Sequence, residues 1–250
     1  MSDKFATFDA LHVAGDPLVL FNIWDPGSAK LAAEAGARAL ATGSASVAAA
    51  LGFGDGEKVP LDIALANAAR VVALVELPVS IDFEGGYAVE PELLAANLGR
   101  LKETGAVGCN LEDQVVGGEG LYPTDRQCER LRAARAATGA DFFINARTDL
   151  FLKASREAHD EAMVEAALAR ADAYAGAGAS GIFIPGLADL RLVQRFCSAS
   201  PLPVNFMAFP GGPEKAEVAA AGVARISHGP FPYKLAMKAF KEAAEKLYRS

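Results

Sequence analysis

SIDFEGGY, residues 80–87, ends an apolar run in two carboxylates, Asp82 and Glu84, and two glycines. The run begins at Pro78, and PVSIDFE (78–84) reads as a strand with both faces buried. Charge at the end of a buried strand is costly unless it meets water or a partner. The point where this strand stops is therefore where chemistry is expected.

The same unit recurs on both sides. LVLFNIW (18–24), RALATG (38–43), AVGCNLED (106–113), DFFINARTD (141–149), SGIFIPG (180–186), PVNFMAF (203–209) and VARIS (223–227) are also short apolar runs. Helical patterns separate them, at 26–36, 61–76, 91–104, 125–138, 159–175, 189–198, 214–221 and 233–248, with a further short one after Gly43. Asp25 and Pro26 form a cap and a first helical turn, and Gly36 a stop. Strand–helix alternation at this spacing predicts an α/β fold with a parallel sheet. Eight such units in 250 residues predict one (β/α)₈ TIM barrel domain over 1–250. A doubly wound open sheet is the alternative, but no GxGxxG follows the first strand.

Composition excludes other classes. With 52% apolar and 22% charged residues the chain reads as soluble and globular. A net charge of -7 without a basic stripe argues against nucleic acid as a partner. No uncharged apolar run is long enough to span a membrane. Cys109, Cys128 and Cys197 are scattered, and no secretory leader precedes residue 16, so a cytoplasmic setting is expected. QVVGGEGLYPTD (114–125), with three glycines, reads as a mobile loop.

In a barrel, catalytic groups lie where strands end. Asn22 and Asp25, Thr42 and Ser44, Asp82 and Glu84, Asn110 and Glu112, Arg147 and Asp149, Asn205, and Arg225 and Ser227 all fall in or at the end of a predicted strand. Asp82, Glu84 and Glu112 come from neighbouring strands and would repel one another unless protonated or neutralised. All-oxygen ligation points to Mg²⁺; helix caps and barrel ion pairs are the competing explanation. Arg147 offers a fork for a substrate carboxylate or phosphonate, or a pair for Asp149 or Glu112. His12 and His159 read as peripheral, and His228 as structural.

FNIWDPGSAKLAAEAG, ATGSASVAAALGFGDGE, SIDFEGGY, GCNLEDQ, NARTD, PVNFMAFPG and RISHGP, in this order, resemble the isocitrate lyase / phosphoenolpyruvate mutase superfamily. The resemblance spans nearly the whole chain. It implies a TIM barrel with a C-terminal helix exchanged between subunits, a homodimer or homotetramer, and Mg²⁺, with Mn²⁺ as the alternative ion. It implies metal ligation by Asp82, Glu84 and Glu112. Catalytic roles fall to Asp55, Glu112 and Arg147. Trp24, Ser44, Ala45, Asp82, Arg147 and Asn205 are implied to bind a small 2-oxo or dicarboxylic acid. Departures accompany it. The cysteine loop KKCGH of the isocitrate-cleaving branches is missing, as are the Lys and Asn of the mutase loop. Glu84 stands where an Asp is usual, Gly43 where a Ser is, and Pro185 where a His is. The expected activity is C–C cleavage, first as decarboxylation of an oxaloacetate-like acid through a metal-stabilised enolate. Retro-aldol cleavage of a methylmalate-like 2-hydroxy diacid, phosphonopyruvate chemistry and non-catalytic 2-oxo acid binding are the alternatives.

Overall fold

The computed structural model describes residues 2–249. The eight predicted strands are present: β1 (Leu18–Leu20), β2 (Leu40–Ala41), β3 (Val79–Asp82), β4 (Gly108–Glu112), β5 (Phe143–Arg147), β6 (Gly181–Phe183), β7 (Val204–Met207) and β8 (Arg225–Ser227). They form one parallel sheet in the order β1-β8-β7-β6-β5-β4-β3-β2. An open sheet would leave β1 and β2 as free edges. Here Ile23 N–H donates to Ala41 O at 2.9 Å and Gly43 N–H to Ile23 O at 3.1 Å, so the sheet curls into a nearly closed barrel.

Among the described residues, ten α-helices accompany it: α1 (Ser2–Ala10), α2 (Pro26–Glu34), α3 (Ser44–Ala50), α4 (Leu61–Leu74), α5 (Pro91–Glu103), α6 (Thr124–Thr138), α7 (Glu161–Gly176), α8 (Leu190–Ala199), α9 (Lys215–Ala220) and α10 (Phe231–Tyr248). Asp25 caps α2 as read, in a reciprocal capping box with Ser28. Outward-facing strand residues such as Ile81, Cys109, Ile144 and Ile182 join the inner faces of the helices in one continuous core.

The N-terminal end of the barrel is plugged from below. α1, unforeseen in the sequence, places Phe8 against Leu18, Leu20, Ala39, Val107 and Phe143. His12 is not peripheral as expected: its ring stacks on Phe143 at 4.2 Å and its Nδ1 donates to Phe8 O at 2.8 Å. Burial, and then the nearby Arg225 charge, pull its pKa from 6.5 to about 3. As pH falls, the unfolded chain binds this proton before the folded one does. The stability is present above about pH 6.5 and is lost progressively toward pH 3. At pH 5 this site alone should cost about 2 kcal/mol. Urea unfolding at pH 7.5 and pH 5 should show His12→Phe losing less than the parent by that amount; equal losses would refute the assignment.

The opposite irregularity is α10. Beyond its first turn it leaves the barrel, with Leu235 62%, Phe240 72% and Leu247 75% exposed. The flank of β1 and β8 that a packed eighth helix would cover instead carries two cavities, about 410 Å³ beside Val19, Ile226 and Val218 and about 300 Å³ beside Leu18, Phe21 and Ala32. Among the described residues, no helix is long and apolar enough to cross a membrane.

Candidate active site

The C-terminal ends of the strands enclose a cavity of about 190 Å³, bordered by Ser44, Ala45, Asp55, Asp82, Asn110, Arg147, Leu152, Phe183, Met207 and Gly229. Asp82 is the last residue of β3, and Thr42 Oγ1 accepts its backbone N–H at 2.9 Å. Its Oδ2 accepts the N–H of Ser44 at 2.9 Å and the hydroxyl of Ser44 at 2.8 Å. Its Oδ1 accepts from Asn110 Nδ2 at 3.2 Å. Gly43, which precedes Ser44, stands where a side chain would crowd: a Cβ there would lie 3.2 Å from Gly229 O.

Asp55 reaches the cavity from the loop after α3. Burial, then the charge on Asp82, raise its pKa. Asp55, Ser44 and Asp82 thus stand together at the cavity, with the Ser44 hydroxyl donating to Asp82.

Arg147, the last residue of β5, borders the same cavity. Its Nε and Nη2 grip both oxygens of Asp149 at 2.6 and 2.9 Å, and its Nη1 meets Glu112 Oε2 at 2.9 Å. Arg147 thus borders the cavity while paired with both Glu112 and Asp149. Burial raises the pKa of Glu112, and Arg147 opposes this. Behind them, Asp113 receives Asp149 N–H, Arg170 and the Tyr174 hydroxyl, which locks the ends of β4 and β5 together.

Several expected site residues lie elsewhere. Glu84 has left-handed backbone (φ 52°) and turns behind Asp82, where Oε2 accepts Glu57 N–H at 2.7 Å. Burial is the main reason its pKa rises to about 7. Trp24 does not border the cavity; its indole packs edge-on against Tyr233 at 5.1 Å. Asn205 is buried within the barrel, two residues before the cavity-lining Met207, and accepts from Ser227. Ser44 N–H is committed to Asp82, which leaves Ala45 as the next backbone donor along the wall.

Other participants were missed. Glu57, also left-handed, ties the two acidic loops together, its Oε1 accepting Tyr87 N–H at 2.7 Å. The DGE triplet at 55–57 carried that signal: an acid among glycines, in the same loop as a site aspartate. Residues 114–122 form a tight hairpin rather than an open loop, with Gln114 bridged to Leu121 and Tyr122 N–H bonded to Asp113 O at 2.8 Å. Among the described residues, neither a cysteine nor a histidine borders the cavity.

Among the described residues, no three His, Cys, Asp or Glu side chains converge as a metal cage. The charge nevertheless fits a cation. The Asp82 charge raises the pKa of both Asp55 and Glu84, and, among the described residues, the one arginine bordering the cavity is shared between two carboxylates. Mg²⁺ commonly keeps several waters and takes only one or two protein carboxylates. Asp82, with two oxygens aligned by neighbouring donors at the cavity wall, fits that role; Glu84 and Glu112, committed elsewhere, fit a cage poorly.

Residues 8–248 match the family model for phosphoenolpyruvate phosphomutase. A phosphonomutase-like protein of Burkholderia cenocepacia J2315 has a crystal structure that superimposes with a TM-score of 0.95 at 49% identity, over 98% of each chain. A 2,3-dimethylmalate lyase structure matches at 28% identity and TM-score 0.83, covering 100% of this chain and 87% of that one. The 2-methylisocitrate lyase of Salmonella typhimurium is 29% identical over 96% of this chain and 82% of its own length. An oxaloacetate decarboxylase of Chromohalobacter salexigens is 27% identical over 93% and 81%.

Proposed function

The chain belongs to the isocitrate lyase / phosphoenolpyruvate mutase superfamily, and on that premise we propose that it is a C–C lyase for a small, methylmalate-like 2-hydroxy dicarboxylate. The observation that carries this reading is that Asp55, Ser44, Asp82 and Arg147 border one cavity. It brings an anion anchor and a proton carrier to the same space. The relatives named for 2,3-dimethylmalate and 2-methylisocitrate support the substrate class.

Arg147 and the backbone at Ala45 would hold the substrate carboxylate. Ionised Asp55 accepts the C2 hydroxyl proton, and that O–H pair becomes the second bond of a C2 carbonyl. The C2–C3 bond breaks, its electrons pass to C3 and the adjoining carboxylate, and Asp55 returns the proton to C3. The products are a 2-oxo acid and a shorter carboxylic acid, with no atom gained or lost. A single proton carrier suffices, which suits a site without the cysteine loop. Its raised pKa brings Asp55 closer to neutrality, where taking and returning a proton are better matched. A divalent ion at Asp82 would supply Lewis-acid polarisation of the C2 oxygen.

Decarboxylation of an oxaloacetate-like acid is the second reading. It needs only the proton-donor half of Asp55's work, and one relative is named for it. Proton NMR with Mg²⁺ separates the two, using 2,3-dimethylmalate, 2-methylmalate and oxaloacetate against protein-free controls. Equal amounts of 2-oxo acid and shorter acid support the lyase. Saturable pyruvate release from oxaloacetate alone supports the decarboxylase. Binding of these acids with no consumption of any would sink both and favour a binding protein.

We further propose that α10 packs on the β1/β8 flank of a second copy, giving a homodimer or a tetramer of such pairs. The exposed Leu235 and Phe240 and the uncovered cavities beside Val19 support it. Light scattering should show Phe240→Glu lowering the assembly mass of the parent; a monomeric parent would end the idea. The three free cysteines, two of them buried, suit a cytoplasmic setting.

A further inference from the structure

Arg225, the first residue of β8, is 1% exposed and reaches into the barrel interior. Among the described residues its guanidinium bonds only neutral groups: Nη2 to Asn110 Oδ1 at 3.3 Å and Nε to Ser227 Oγ at 3.4 Å. The Phe8 ring lies below it, 6.0 Å from Cζ. A cation buried without a directly bonded anion is costly, and burial pulls the Arg225 pKa down to about 10. The charge that most favours it is Asp82.

One amide separates the two. β4 and β8 are not neighbours in the sheet, so the bond from Arg225 to Asn110 crosses the barrel. Asn110 Oδ1 accepts Arg225 Nη2 and also Asn145 Nδ2, the latter at 2.8 Å. Two donors on one side fix which end of the amide is oxygen. The NH₂ end must then point the other way, and it donates to Asp82 Oδ1. With Ser44 holding Oδ2, the carboxylate has one orientation left.

We infer that Arg225 is a positioning residue: through the Asn110 amide it sets how Asp82 presents its carboxylate to the cavity. It touches neither substrate nor ion. The inference rests on Asp82 being the carboxylate that holds the divalent ion.

The test is Mn²⁺ binding, read by EPR as loss of the free-ion signal, in the parent, Asp82→Ala, Arg225→Met, Asn110→Ser, the Arg225→Met/Asn110→Ser double variant and Phe8→Leu. Arg225→Met and Asn110→Ser should each weaken Mn²⁺ by about 10–100-fold, as loss of a ligand's supporting partner does. The double variant should bind about as weakly as the weaker single, since both act through one amide. Phe8→Leu changes the ring below Arg225 but removes no hydrogen bond of that line, and should keep parental affinity. Arg225→Met binding like the parent while Asp82→Ala has lost binding would overturn the inference and leave the ion site standing. Asp82→Ala binding like the parent would instead remove the ion site itself. Should Arg225→Met fail to fold, Asn110→Ser decides, and affinity within about threefold of the parent would overturn the inference.

Discussion

Asp82→Asn should lower turnover by about 10³-fold or more while the barrel stays folded. The asparagine keeps the volume and one oxygen for the Ser44 donors, but removes the charge. A misplaced or lost oxyanion stabiliser alone costs about 10²–10³ in rate, and loss of the bound cation removes several kcal/mol more of transition-state stabilisation. Asp82→Ala should be at least as inactive. Circular dichroism and urea unfolding verify the fold, and product formation by NMR measures the loss. An Asp82→Asn protein with turnover within about tenfold of the parent would contradict the assignment of Asp82.

Arg147→Met should fail in two separable ways. The parent guanidinium neutralises Glu112 and Asp149, whose side chains are 5% and 2% exposed. Leaving two buried carboxylates without it should cost about 3–5 kcal/mol of stability. Adding Glu112→Gln should recover part of that, because one of the stranded charges is gone. It should not recover catalysis, because the substrate carboxylate has lost its anchor. Arg147→Lys should remain poor on both counts, since an ammonium cannot make the three-armed contact seen here. Unfolding curves with steady-state kinetics of the four proteins decide it. Full activity in Arg147→Met/Glu112→Gln would show that Arg147 is a structural cation only.

The barrel was legible because each strand is an apolar run with a helical pattern after it, and burial on both faces leaves little else such a run can do. α1 was not, because it precedes the first strand and so breaks no alternation. Its signal lay in Phe5, Phe8 and Leu11, which put apolar groups three residues apart on a short segment. Asp82 and Arg147 were legible as the last inward residues of β3 and β5. Glu84 followed the same period-of-two rule on paper, two residues beyond Asp82. The rule lapses where the backbone becomes left-handed, as it does at Glu84 (φ 52°) and Tyr87 (φ 57°). A Cβ on Gly86 would lie 2.0 Å from Leu94 Cδ1, so the glycine lets this turn close on α5. Asn205 was right in direction and wrong in depth, since alternation says which way a side chain faces but not how far along the barrel axis the cavity begins. Arg225 was visible as a charge in a predicted strand, but its link to Asp82 passes through Asn110 on a strand that is not its neighbour, and a bond across the barrel leaves no spacing to read.

The most direct test of the site is a crystal structure with Mn²⁺ and oxalate, a planar analogue of a 2-oxo acid enolate, with anomalous data collected for manganese. An anomalous peak is expected at Asp82 inside the 190 Å³ cavity, with oxalate on the ion and within hydrogen-bond reach of Arg147. A cavity without manganese, or oxalate seated away from both Asp82 and Arg147, would contradict that expectation.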